Sequence, residues 1–219
     1  LEQALKSTLK SLELEPSNHA AHMNLGCIYK DLGNHDEAIA SSLKSLELKP
    51  DNPDAHMILG GIYKDIGDLD KALTSTLKSL ELKPDNPDAN MNVGLIYKEI
   101  GNTEQALEWT LKSLRCNPDK PEVYINLGSI CQELGKLKQA LTFTKKSIEL
   151  DPESAEAQSN LGVIYKELGE IDLAKKAFAN ANAIEPTLNR YIAETQAFNK
   201  IHKDNNQIDK ERRSFIESL

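Results

Sequence analysis

At 219 residues and 39% apolar content the chain suits an ordinary soluble protein, and no apolar run approaches the ~20 residues of a membrane-spanning helix. A formal net charge of −8 disfavours broad nucleic-acid binding, which requires a basic face. Three cysteines (Cys27, Cys116 and Cys131) with no Cys-x-x-Cys exclude a disulfide framework and read as three buried small hydrophobes. In chain order, Leu1, Leu5, Leu9 and Leu12 recur at helical spacing, which predicts a first helix halted before Pro16. From there the chain copies itself. "LKSLELKPDNPDA" stands at 43–55 and again at 77–89, an offset of 34 residues. Pro16, Pro50, Pro84, Pro118, Pro152 and Pro186 keep that interval. So do Gly26, Gly60, Gly94, Gly128 and Gly162, and, seven residues later, Gly33, Gly67, Gly101, Gly135 and Gly169. Ala4, Ala38, Ala72, Ala106, Ala140 and Ala174 form a third series.

With Pro53 as position 1, each unit reads as two antiparallel helices. Asn52-Pro53-Asp54 has a capping residue, a proline suited to the first helical position, and an acid for the first turn. Ala55, Leu59, Ile62, Tyr63 and Ile66 then follow helical spacing, and Gly67 supplies the left-handed residue that ends the helix. A second helix begins near Asp68, carries Leu69, Ala72, Leu73, Leu77, Leu80 and Leu82, and stops at Lys83-Pro84. Gly60 lies inside the first helix, where glycine costs about 1 kcal/mol relative to alanine. Its recurrence at one position predicts a close crossing, with glycine at position 8 and alanine at position 20 letting the backbones approach. After Pro186 the glycine pattern fails. Leu188, Tyr191, Ile192, Thr195, Phe198 and Ile201 mark one amphipathic helix, and Ile208, Phe215, Ile216 and Leu219 a short, charged final one.

Leu59-Gly60, Tyr63, Gly67, Ala72 and Pro84 at positions 7–8, 11, 15, 20 and 32 of a 34-residue unit resemble the tetratricopeptide repeat (TPR) family. The pentatricopeptide family prefers 35 residues and binds RNA, so the unbroken spacing and the acidic balance disfavour it. The resemblance covers residues 1–186 and implies an all-α, right-handed superhelical solenoid of antiparallel helix pairs. Residues 1–18 would be the second helix of a truncated leading repeat, 19–186 five complete units, and 187–219 a capping helix and a charged final helix. Opening at Leu1 in mid-pattern, the chain reads as a piece of a longer protein. Two positions depart from the family. Position 4, usually large, holds His22, His56, Asn90, Tyr124 and Gln158. Position 24, usually aromatic, holds Thr8, Ser42, Thr76, Thr110 and Thr144, and only Phe178 conforms.

The resemblance also implies a concave groove lined by positions 2, 5, 6, 9, 12 and 13 of the first helices. Position 5 holds Met23, Met57 and Met91, then Ile125 and Ser159, and position 6 holds Asn24, Ile58, Asn92, Asn126 and Asn160. Asparagine can donate to and accept from an extended peptide backbone at once, and methionine gives an adaptable apolar floor. The asparagine series is similar to the ladder in the TPR superhelix of the O-linked N-acetylglucosamine transferases. Position 12 holds Lys30, Lys64 and Lys98, then Gln132 and Lys166. These lysines are candidates for meeting an acidic ligand. The acids Asp31, Asp65, Glu99, Glu133 and Glu167 beside them favour a charge-balanced, solvated face. Position 2 carries acids and no lysine, so the dicarboxylate clamp of chaperone-binding TPR domains does not carry over.

His19, His22, His35, His56 and His202 have no clustered partner ligands, so no metal site is expected. No phosphate loop, nucleophile elbow or paired-acid constellation supports catalysis, and no cofactor is expected. The expected role is a non-catalytic scaffold binding a protein or peptide segment, with no nucleic-acid or membrane partner and a cytoplasmic location. The alternatives are the substrate-presenting arm of a larger glycosyltransferase or sulfotransferase, and a self-assembly scaffold. The one-sided leucine stripe of residues 1–15 predicts weak self-association through the N-terminal edge.

Overall fold

The structure is a computed structural model that describes residues 1–186 and Arg213. The capping and final helices read in 187–219 lie outside the described residues, Arg213 excepted. Eleven α-helices and no strand occur among the described residues, in two compact units, Leu1–Asn117 and Pro118–Leu219. Among these helices none is long and apolar enough to cross a membrane.

The leading unit holds α1 (Glu2–Leu14) and three helix pairs: α2 (His19–Asp31) with α3 (His35–Leu48), α4 (Pro53–Asp65) with α5 (Leu69–Leu82), and α6 (Pro87–Ile100) with α7 (Thr103–Cys116). The helix starts follow from local chemistry. The side chains of Asn18, Asn52 and Asn86 accept from the backbone N–H groups of Ala21, Ala55 and Ala89, two or three residues into each helix. The first helix of the second pair ends as Gly67 turns to φ +79°, and its N–H and that of Asp68 bond back to the carbonyls of Lys64 and Tyr63 at 2.9 Å. Asp68 then caps α5 by accepting from Lys71 N–H at 3.2 Å.

The core combines alanines with aliphatic side chains. Ala38, Ala72 and Ala106 are completely buried, as are Ile62, Val93 and Ile96. The close crossing is present, and position 24 rather than position 20 makes the nearest approach. A β-carbon on Gly60 would collide with Thr76 Oγ1 and would lie 3.1 Å from the Ala72 carbonyl oxygen. Ser42 and Thr110 stand in the same relation to Gly26 and Gly94. A small residue at position 24 therefore fits because the glycine has drawn the helices together. Leucine at position 25 does not fill the vacated aromatic volume uniformly: Leu43 is exposed, and Leu77 is half-buried against Leu80, Ala89 and Val93.

The polar residues at position 4 tie each first helix to the turn before it. His22 Nε2 donates to the Pro16 carbonyl at 3.0 Å, His56 Nε2 to Pro50 at 2.9 Å, and Asn90 Nδ2 to Pro84 at 3.3 Å. The Lys44–Glu47 and Lys78–Glu81 surface pairs form at 2.9 and 2.7 Å. The cysteine reading needs correction. Cys131 is buried, Cys27 is half-buried and Cys116 is exposed, because position 30 at the end of α7 faces outward, as Leu14 and Leu82 do. Burial, then the neighbouring Asp31 carboxylate, raises the Cys27 thiol above its ordinary pKa, and burial raises that of Cys131.

The second unit repeats this plan with α8 (Pro121–Glu133) and α9 (Leu137–Leu150), then α10 (Ala155–Glu167) and α11 (Ile171–Ile184). Val123, Leu127, Ile130, Ala140, Ile164 and Ala174 are fully buried in it. Here Phe178 supplies the aromatic at position 24, and its ring lies 2.7 Å from where a Gly162 β-carbon would stand.

Candidate functional site

In the leading unit the first helices α2, α4 and α6 lie side by side. Asn24 is exposed, Ile58 and Asn92 are half-buried, and neither asparagine hydrogen-bonds to any described residue. In the second unit, Asn126 and Asn160 sit half-buried on the neighbouring helices α8 and α10, also without a hydrogen-bond partner among the described residues. The helix-capping asparagines differ, since each is already used by backbone N–H groups. Toward the described residues, the four position-6 amides thus keep their donor and acceptor capacity.

Met23 and Met57 are committed to the junctions between pairs. Met23 Sδ accepts from Asn52 Nδ2 at 3.6 Å, and Met57 Sδ from Asn86 Nδ2 at 3.8 Å, so each thioether meets the cap of the next first helix. Met57 also packs on the cluster of Leu80, Ala89 and Val93. Met23, Met57 and Met91 are all half-buried and present only part of their surface.

The position-12 lysines pair forward along the array. Lys30 Nζ lies 3.3 Å from Asp65, and Lys64 Nζ lies 3.4 Å from Asp65 and 3.6 Å from Glu99. In the second unit Gln132 Nε2 donates to Glu167 Oε1 at 2.7 Å. Lys98 is half-buried in the same row. Lys30–Asp65, Lys64–Glu99 and Gln132–Glu167 join position 12 of one repeat to position 13 of the next, while Lys64–Asp65 lies within one repeat. Exposed pairs of this kind contribute about 0.2–1 kcal/mol. The Lys30 stem passes 3.4 Å from the place of a Gly61 β-carbon, an ordinary contact distance, so nothing in the packing requires glycine there. Among the described residues no group of three or more His, Cys, Asp or Glu could hold a metal ion.

No curated protein gives a significant sequence match. Solved structures do. MamA is 26% identical over 74% of this chain and 94% of its own, with a TM-score of 0.65. YrrB, described as a TPR protein with an unusual peptide-binding site, is 22% identical over 89% of this chain and 98% of its own, with a TM-score of 0.66. PilF of Pseudomonas aeruginosa is 20% identical over 92% of this chain and 90% of its own, with a TM-score of 0.76. At these identities YrrB and PilF speak for the fold alone. Family models described as tetratricopeptide repeat match residues 19–52, 87–120, 109–142 and 155–188, and one described as TPR repeat matches 60–101 and 128–169. The matches at 19–52, 87–120 and 155–188 coincide with 34-residue units of the sequence, and the all-α helix pairs are their physical form: the chain belongs to the tetratricopeptide repeat family.

Proposed function

We propose that the chain is a non-catalytic scaffold that binds an extended protein or peptide segment along the first helices of its repeats. The observation that carries this reading is that the amides of Asn24 and Asn92 in the leading unit, and of Asn126 and Asn160 in the second, make no hydrogen bond with a described residue. An extended backbone offers alternating N–H and C=O groups, and a primary amide can serve both. In the leading unit Met23, Met57 and Met91, one position before the asparagine series, contribute the exposed part of their side chains. Lys30, Lys64 and Lys98 act mainly as charge-balanced walls, since Lys30 and Lys64 are held by acids of the following repeat. The peptide-binding site described for YrrB supports the same use of this fold.

The test begins with a peptide-display selection against the full chain. A selected peptide carrying a photo-crosslinker is then mapped by mass spectrometry. Crosslinks on α2, α4, α6, α8 or α10 are expected. Crosslinks confined to the second helices would overturn the reading.

A second reading concerns self-association through α1. That helix buries no residue, and Leu1, Leu9 and Leu14 are 62%, 40% and 82% exposed. Ala4 is exposed, although its equivalents from Ala38 to Ala174 are completely buried. We infer that this face meets another copy of the chain.

A further inference from the structure

We propose that the third helix pair of the leading unit carries a separate binding site, a cleft that takes one carboxylate side chain of an acidic peptide. The cleft, about 520 Å³, is lined by Pro84, Asp85, Asn90, Lys112, Arg115 and Cys116. It arises where this pair departs from the chain's own pattern. The same places one pair earlier hold Pro50, Asp51, His56, Lys78, Glu81 and Leu82. Exchanging imidazole for Asn90 and leucine for Cys116 removes side-chain volume from one spot. Exchanging glutamate for Arg115 reverses the charge beside it.

The charge reversal reorganises the local pairing. Lys44–Glu47, Lys78–Glu81 and Lys146–Glu149 are paired at 2.9, 2.7 and 3.0 Å. Lys112 has no such glutamate. It turns back to Glu108 at 3.0 Å and lies over the Trp109 ring, 3.6 Å from its centroid. Arg115 is exposed and makes no ion pair or hydrogen bond with a described residue. Asn90, only 3% exposed, is fixed as the inner wall: its Nδ2 donates to the Pro84 and Asn86 carbonyls and to Cys116 Sγ.

A cation in the last turn of a helix is favourable in its own right. That accounts for Arg115 but not for the two trimmed side chains that open the cleft in front of it. A guanidinium fork matches a carboxylate bidentately. Lys112 is already held by Glu108, so Arg115 is the lining cation without a partner among the described residues, and one guanidinium suits a single carboxylate. A phosphate, at about −1.5 to −2, carries more charge than the single unpaired guanidinium beside Asp85 balances. The lining occupies positions 4, 26, 29 and 30 and the inter-repeat turn, so the proposal is independent of the position-6 asparagines.

The test uses the ¹⁵N-labelled full chain titrated with acetyl-Gly-Glu-Gly-amide, its glutamine counterpart and its phosphoserine counterpart, followed by NMR. The glutamate peptide is expected to shift Asn90, Arg115 and Cys116 amides saturably, more weakly as salt rises, while the glutamine peptide does not. Arg115→Gln should weaken the response about tenfold, the loss of one charge-assisted bond. The variant Asn90→His/Arg115→Glu/Cys116→Leu rebuilds the pattern of the preceding pair. It should keep its helicity and lose the response. An equal response to the glutamine peptide, a stronger response to phosphoserine, or an undiminished response in Arg115→Gln would overturn the proposal.

Discussion

Thr76 Oγ1 occupies the space that a β-carbon on Gly60 would need, and a 2.8 Å hydrogen bond to the Ala72 carbonyl holds it there. Gly60, Ala72 and the back-bonded hydroxyl of Thr76 thus form one packing unit, as do Gly94, Ala106 and Thr110. Gly60→Ala should gain about 1 kcal/mol of helix propensity. It should lose about 1–3 kcal/mol to overpacking, because the neighbouring Ala72 carbonyl and Thr76 backbone cannot rotate away. Net destabilisation is expected in urea unfolding. Adding Thr76→Ala should recover part of it, so a double-mutant cycle should show coupling between the two sites. Additive effects would mean that the hydroxyl is not the obstacle.

Asp68 caps α5 and pairs with Lys71 at 2.7 Å. The hydrogen bond from the Lys71 side chain, then that from its backbone N–H, holds the Asp68 carboxyl below its ordinary pKa. A carboxylate with a lowered folded pKa contributes stability that is complete above the unfolded value of about 3.9 and lost as pH falls through the folded value. Asp68→Asn keeps a capping acceptor and removes the titration. Thermal unfolding from neutral pH to below pH 4 should therefore fall less steeply in Asp68→Asn than in the parent. Parallel curves would show that the pair contributes nothing to the acid response.

Much of the fold was legible because its signals are local. Asn52, Pro53 and Gly67 act within a few residues of themselves, and their cap, first-turn and left-handed roles follow from backbone chemistry. The contacts between repeats were not legible. Lys30 reaches Asp65 and Asn52 reaches Met23 across 35 and 29 residues, and only stacking brings them together. Read along one helix, Lys64 and Asp65 are simply neighbours, and Asp65 gives no hint that it also serves Lys30. The polar residues at position 4 looked like departures from the family because their acceptor is a proline carbonyl six residues back, on another element. The threonines at position 24 looked undersized because the closeness of the crossing, set by Gly60 and its equivalents, had no signature beyond glycine itself.

The exposed leucines of α1 predict concentration-dependent association. Contiguous exposed apolar surface of a few hundred Å² tends to find a partner. Sedimentation of the chain over a concentration series should show weak self-association. Leu1→Glu with Leu9→Glu should reduce it, since both side chains are exposed and their loss leaves the packed pairs untouched. Association that survives both changes would place the contact elsewhere.

The account rests most heavily on the position-6 asparagines. The decisive measurement is the affinity of a display-selected peptide for the chain and for the variant Asn24→Ala/Asn92→Ala/Asn126→Ala/Asn160→Ala, by calorimetry at fixed salt. Each lost neutral hydrogen bond should cost about 0.5–1.5 kcal/mol. None of the four amides bonds to a described residue, so helicity and unfolding temperature should be preserved. The account predicts a weakening of at least about tenfold with an unchanged circular dichroism spectrum. Unchanged affinity in a fully helical variant would contradict it.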